Sequence, residues 1–124
     1  MTDSDNPVFC DDPVRVYLAE LRGIPPLDQA EENTCVEHAR AEDEMAERCR
    51  KRLVEANLQL VVTLAERHVN ERVHILDLIQ KGNGGLLQAT QSLADCSPGT
   101  FVAHATKLIE RALIEAAKLD SANS

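Results

Sequence analysis

The sequence predicts an all-α fold, a compact helical bundle of roughly four to five helices, from three observations. Glycine and proline number only 5 residues each, while alanine, leucine, glutamate and arginine are abundant. Apolar residues recur at three-to-four spacing, and no run alternates apolar and polar residues as a half-exposed strand would. With 2 phenylalanines, 1 tyrosine and no tryptophan, the core must be aliphatic. A chain of 124 residues suits a single domain.

The first two helices carry recognisable start signals. Asp12 followed by Pro13 predicts a helix start, since aspartate is a favoured N-cap and proline fits the first turn. This short amphipathic helix should end at Gly23. Asp28, with Glu31 three residues later, predicts a capping box that opens a second helix over residues 29–50.

Three further helices follow. A wide apolar stripe from Lys51 to Val69 predicts the core helix of the domain. Residues 74–93 carry the same spacing but contain three interior glycines, each costing about 1 kcal/mol relative to alanine unless close packing requires it. The last helix begins near Phe101. We therefore predict a flexible acidic tail over residues 1–11, a helical domain over 12–118 and a frayed tail over 119–124.

Charge and composition exclude several classes of function. The net charge is −8, and residues 1–50 hold 13 acidic side chains against 5 arginines. The chain therefore lacks the basic footprint of an autonomous DNA binder, and a basic protein surface is a more natural partner for this half. No apolar run approaches the length of a membrane span, and no signal peptide is evident. The 4 scattered cysteines suit reduced thiols, so we expect a cytoplasmic protein.

Catalytic and cofactor sites have little support. The 4 histidines are dispersed with no nucleophile near them in sequence, which indicates that the protein is not an enzyme. Cys35, His38 and Cys49 could form part of a metal site, but no fourth ligand stands at a recognisable spacing, so we predict no metal. The glycines of 82–85 lack the spacing of a phosphate-binding loop. We expect no cofactor.

Three motifs carry a resemblance to a known family. They are Asp12-Pro-Val-Arg-Val-Tyr-Leu18, Ala56-Asn-Leu-Gln-Leu-Val-Val62, and Leu76-Asp-Leu-Ile-Gln-Lys-Gly-Asn83 with Gly85-Leu86. These three motifs occur in the order found in the housekeeping sigma factors of bacterial RNA polymerase. Over roughly residues 12–117 the chain resembles regions one-point-two and two of those proteins. The resemblance implies the helical bundle of sigma region two, and a transcription protein that binds the polymerase core.

The segment 76–88 is, in that family, the face that docks on a coiled coil of the largest polymerase subunit. The resemblance assigns this contact to Asp77, Gln80, Asn83 and Leu87, and we add Lys81, which lies in the same segment, as a fifth candidate. Two positions depart from the family pattern. Lys81 stands where glutamate is usual, which reverses a charge on the docking surface, and Gly84 replaces a usual isoleucine, which we interpret as the loss of a core side chain.

Promoter recognition and melting reside, in the family, in an aromatic and basic segment that matches residues 92–115. Here most of the aromatic positions carry other residues, so we predict weak or absent promoter binding. The remaining candidates for DNA contact are Arg15, Tyr17, Phe101, His104, Lys107 and Arg111. Two alternatives stay open: a sigma factor fragment that still binds DNA, and an interaction module that pairs with an anti-sigma-like regulator or with itself as a homodimer.

Overall fold

The computed structural model describes residues 13–70, 73–94, 96–97 and 99–123, with backbone alone for 119–123. These residues form six helices and no strand, which confirms the all-α prediction with one helix more than expected. The helices are α1 (Pro13–Leu21), α2 (Gln29–Ala41), α3 (Ala46–Glu55), α4 (Leu58–Ala65), α5 (Ile75–Gln91) and α6 (Phe101–Asn123).

The start of α2 has the predicted capping box. The Asp28 carboxylate accepts a hydrogen bond from the Glu31 amide at 2.8 Å, and the Glu31 carboxylate accepts one from the Asp28 amide at 3.0 Å. Two amides that the helix leaves without intrahelical partners are thus satisfied reciprocally. The predicted start at Asp12 lies outside the described residues, and α1 begins at Pro13.

The predicted helix over residues 29–50 is interrupted at 42–45, and this prediction was wrong. Glu42 adopts a left-handed conformation at φ 53°, and its amide bonds to the Ala39 carbonyl as α2 ends. Asp43 then accepts a hydrogen bond from the Met45 amide at 2.9 Å just before α3 begins. A local side-chain bond of this kind competes with the helical ladder, so the acidic run forms a turn.

The predicted core helix over 51–69 is also divided, at Ala56 and Asn57. The side-chain amide of Asn57 donates a hydrogen bond to the Leu53 carbonyl at 2.7 Å and so satisfies a terminal acceptor of α3. The helix that follows ends at Ala65. Val69 lies beyond it with 47% of its surface exposed, so its assignment to the apolar core stripe was wrong.

The core lies where α4, α5 and α6 meet. Its fully buried large side chains are Leu53, Val61, Val62, Leu78, Leu86, Thr90, Phe101, Ile109 and Leu113. Helices α5 and α6 run in opposite directions, since Gly82 approaches Leu113 while Gly85 approaches Leu108. The aliphatic character that the composition predicted holds for these fully buried side chains except at Phe101 and Thr90.

The two predicted tails have different outcomes. The flexible acidic tail over 1–11 lies outside the described residues. The last helix continues to Asn123, beyond the domain end expected at 118, and fraying of residues 119–124 stays a prediction. Among the described residues, no helix has both the length and the apolar character needed to cross a bilayer.

Candidate protein-docking site

Helix α5 presents a continuous exposed surface opposite its buried stripe. The predicted apolar stripe is confirmed, since Leu78 and Leu86 are fully buried and Ile79 is 4% exposed. The opposite surface, which we call the α5 strip, consists of Asp77, Gln80, Lys81, Gly84, Leu87 and Gln88. These residues share one side of the helix because they are three or four positions apart. The strip therefore includes four of the five predicted docking residues.

The glycines of α5 have two different roles. A Cβ atom at Gly85 would lie 2.7 Å from the Leu108 carbonyl oxygen, and one at Gly82 would lie 2.7 Å from a methyl group of Val61. These two positions let α5 approach α6 and α4 more closely than a side chain would permit. Gly84 is exposed, and a Cβ there would meet no atom within 4 Å. The interpretation of Gly84 as a lost core side chain was therefore wrong, because this position belongs to the strip.

Both charged residues of the strip are exposed. Asp77 lies in the first turn of α5, where the helix dipole favours a carboxylate. The turn is capped by His74, whose Nδ1 accepts a hydrogen bond from the Leu76 amide at 3.1 Å. Neither Asp77 nor Lys81 forms an ion pair with another described residue. The strip can thus offer one carboxylate and one ammonium group to a partner.

Asn83, the fifth predicted docking residue, lies at the border of the strip. It is half-buried, and its Oδ1 is buried without a hydrogen-bond partner among the described residues. An unpaired buried acceptor is unusual and costs free energy. Its contribution to docking stays a prediction, since this oxygen lies beneath the surface that a partner would contact.

The residues predicted to contact DNA are not brought together as one site. Arg15 is exposed and Tyr17 half-buried on α1, whereas the other four candidates lie on α6. Phe101 is 1% exposed and belongs to the core, so its ring offers no free face for a base. The Phe101 ring packs in the apolar core at the start of α6, so Phe101 is no longer a candidate for stacking on bases.

A stripe of cations does lie along α6. Lys107, Arg111 and Lys118 are exposed and share one side of the helix, and none forms an ion pair with another described residue. Lys118 was missed by the sequence reasoning, although its spacing of seven residues from Arg111 places it on the same side. His104 is half-buried beside them, and its Nε2 lies 3.1 Å from the Ser92 hydroxyl. The stripe can contact phosphates without reading bases.

Two other polar contacts were not predicted. The His68 ring is 2.7 Å from the Glu110 carboxylate, and this contact joins the turn after α4 to α6. Burial above all, with a smaller effect of the Cys49 thiol of α3, raises the pKa of the Cys35 thiol of α2 to about 11. Within the described residues, no three His, Cys, Asp or Glu side chains are placed to hold a metal ion.

Comparison with known proteins identifies the family. The model of the family described as Sigma-70 region 2 matches residues 53–120. The RNA polymerase sigma factor SigA of Clostridium acetobutylicum is 41% identical over 109 residues, which are 88% of this chain and 28% of that protein. SigA of Lactococcus lactis subsp. cremoris is 40% identical over 109 residues, or 88% of this chain and 30% of that protein. The chain thus spans less than a third of the length of these relatives. These matches confirm the sigma factor resemblance, and the chain belongs to the Sigma-70 region 2 family.

Proposed function

We propose that this chain is a non-enzymatic, cytoplasmic transcription protein that binds the RNA polymerase core through the α5 strip, with promoter recognition and melting weak or lost. The observation that carries the proposal is the exposure of Asp77, Gln80, Lys81 and Leu87 on one side of α5. The relatives at about 40% identity are RNA polymerase sigma factors, and the resemblance to that family implies that this segment docks on the coiled coil of the largest polymerase subunit.

The packing of α5 supports docking without rearrangement. Its apolar side is fixed in the core by Leu78 and Leu86, so a partner helix can contact the strip while the fold stays intact. Leu87 is 49% exposed and supplies an apolar contact among polar neighbours. A polar surface around one apolar residue is the composition expected of a non-obligate interface.

A pull-down with purified core polymerase tests this docking. Gln80→Ala should weaken binding, because it removes an exposed polar side chain of the α5 strip. The Gln80 side chain forms no hydrogen bond with another described residue, so the fold should not depend on it. Gln59→Ala is the matched control, since Gln59 is an exposed glutamine on α4. Absence of binding by the unmodified chain would refute the proposal, and equal loss with both variants would refute the assigned surface.

The two charges of the strip give a second pair of variants. Lys81→Glu should strengthen core binding, because it restores the charge that the family usually has on this surface. Asp77→Ala should weaken binding but also removes a favourable helix-dipole interaction of about 0.3–1 kcal/mol. Its folding must therefore be checked by circular dichroism before the loss is assigned to docking.

The described residues support weak promoter binding. Base stacking contributes about 1–3 kcal/mol per base, and no described aromatic side chain is exposed, since Tyr17 is half-buried and Phe101 buried. The α6 cation stripe supports residual, sequence-independent phosphate contact. Three cations on single-stranded DNA predict a log–log salt dependence with a slope of about −2.

Fluorescence anisotropy with the single-stranded non-template promoter strand and a scrambled strand tests this expectation. We expect weak binding to both strands, which Lys107→Ala reduces for both alike. Sub-micromolar affinity for the promoter strand over the scrambled strand would contradict the loss of recognition and favour a sigma factor fragment that still reads DNA.

A further inference from the structure

An open cleft lies between α3 and α5, directly beside the α5 strip. Its volume is about 600 Å³, which is within the range of sites that hold small molecules or side chains. Val54 and Leu87 form apolar walls on opposite sides, and the charged lining includes Glu42, Glu47, Arg48 and Lys51. The cleft has therefore both an apolar surface and charges of each sign.

A second cavity of about 380 Å³ continues this cleft toward the end of α5. The two share Glu42, Arg50 and Gln91, and the second is lined at its far end by Leu93 and Ala94. Together they form a groove, which we call the α3–α5 groove. It lies open to solvent beside an exposed helix surface, so it suits an elongated segment better than a compact ligand.

Some cations of the groove form ion pairs within the fold, and others do not. Arg50 is held by the fold, since it donates to the Ala39 carbonyl at 3.3 Å and pairs with Glu42 at 3.4 Å and Glu47 at 3.2 Å. Arg48 and Lys51 are exposed and form no ion pair with any described residue. The cations that remain for a partner thus lie at the end of the groove that Val54 and Leu87 line.

We propose that the α3–α5 groove binds an acidic amphipathic helix of a protein partner. An apolar side chain of that helix enters between Val54 and Leu87, and its carboxylates pair with Arg48 and Lys51. A groove that combines apolar walls with free cations is complementary to apolar side chains flanked by acidic ones. This binding does not require polymerase docking, although Leu87 belongs to both surfaces.

The negative net charge of the chain helps to distinguish binding in the groove from non-specific electrostatic binding. A chain with a net charge of −8 repels an acidic peptide, so any such binding must come from a local site. A basic peptide can bind the acidic parts of the surface anywhere. The position of binding, and not affinity alone, therefore decides the test.

Methyl NMR on the full chain reads that position directly. The probe is a synthetic amphipathic peptide of about 14 residues, roughly four helical turns, with leucine on one face and glutamate on the other. We expect its addition to shift the methyl signals of Val54 and Leu87 and to leave those of Val102 and Ile114, which are exposed on α6, unchanged. Equal shifts at all four residues, or none at millimolar peptide, would overturn the proposal.

Two comparison peptides and one pair of variants complete the test. A scrambled peptide of the same composition and a version with lysine for glutamate should shift the Val54 and Leu87 signals less than the acidic amphipathic peptide does. Lys51→Glu should weaken binding of the acidic peptide about fivefold, as expected when an exposed attraction becomes a repulsion. Lys107→Glu makes the same charge change on α6 and should have no effect. Equal weakening by both variants, or equal shifts with the scrambled or basic peptide, would overturn the proposal.

Discussion

Alanine substitution at the glycines of α5 should separate close packing from helix propensity. Gly84→Ala gains about 1 kcal/mol of helix propensity, because a Cβ at this exposed position meets no atom within 4 Å. Gly85→Ala gains the same propensity but places its Cβ 2.7 Å from the Leu108 carbonyl oxygen and 3.0 Å from the Ile109 Cα. Both of these atoms belong to the α6 backbone, so α5 and α6 must move apart to relieve the contact.

The magnitude follows from the two effects. Overpacking of a well-packed core typically costs about 1–3 kcal/mol, which exceeds or offsets the propensity gain. We therefore expect Gly84→Ala to raise the free energy of unfolding by about 1 kcal/mol, and Gly85→Ala to lower it by up to about 2 kcal/mol. Urea denaturation followed by circular dichroism measures both against the unmodified chain. If Gly85→Ala is as stable as Gly84→Ala, the close approach of α5 and α6 is refuted.

Gly82 provides an internal test of the same reasoning. Its Cβ would lie 2.7 Å from Val61 Cγ1, which is a side-chain atom, although valine in a helix has little rotamer freedom. Gly82→Ala should therefore be destabilising in the unmodified chain and less so with Val61→Ala, which removes that methyl group. A double-mutant cycle measures this coupling, and simple additivity of the two changes would contradict the contact.

Three further predictions concern side chains outside the glycines. The pKa of Cys35 is raised from 9.0 to about 11, so less of this thiol is thiolate in the folded chain. Iodoacetamide should therefore alkylate Cys35 on the order of tenfold more slowly in the folded chain than in urea at the same pH, because the higher intrinsic nucleophilicity of the thiolate only partly offsets its lower fraction. Mass spectrometry measures the two rates. Equal rates would refute this. The His38 hydrogen bond holds the pKa of Asp43 below 3.8, so its stabilising contribution is present above that pH and is lost as the pH falls through the lowered value. His38→Ala should raise this pKa in a carboxyl NMR titration, and an unchanged titration would contradict the assigned cause. Asn83→Leu should raise the free energy of unfolding by about 1 kcal/mol, because it removes a buried unpaired oxygen. Urea denaturation measures this free energy, and a lower value for the variant would indicate that the oxygen has a partner.

The sequence predicted those features that depend on local chemistry or on helical periodicity. The Asp28 and Glu31 capping box is a contact between residues three apart, and it forms as expected. The buried stripe of α5 follows from the spacing of Leu78 and Leu86. The sigma factor family was predicted from three motifs whose order, and not only composition, is distinctive.

Two of the features that the sequence did not predict depend on contacts between residues distant in the chain, and a third is local. Phe101 could have been an exposed aromatic or a core residue, and only the packing of α6 against the bundle decides that it is buried. The α3–α5 groove requires that Val54 and Leu87, 33 positions apart, face each other. The interruption of the predicted helix 29–50 at Glu42 is local, but it was not predicted because a left-handed glutamate is uncommon and has no clear sequence signal.

Helix α5 is constrained by packing on one side and exposed on the other. The packed side determines the fold, and the exposed side is the one that a partner can contact. At Gly82 and Gly85 the neighbouring helices leave no room for a side chain, so the fold requires these residues. At Gly84 and Lys81 the surface is exposed, so the fold accepts any helix-compatible residue there. The two departures from the family pattern both fall on this free side. They therefore leave the core unchanged and alter only the surface on which a partner would dock.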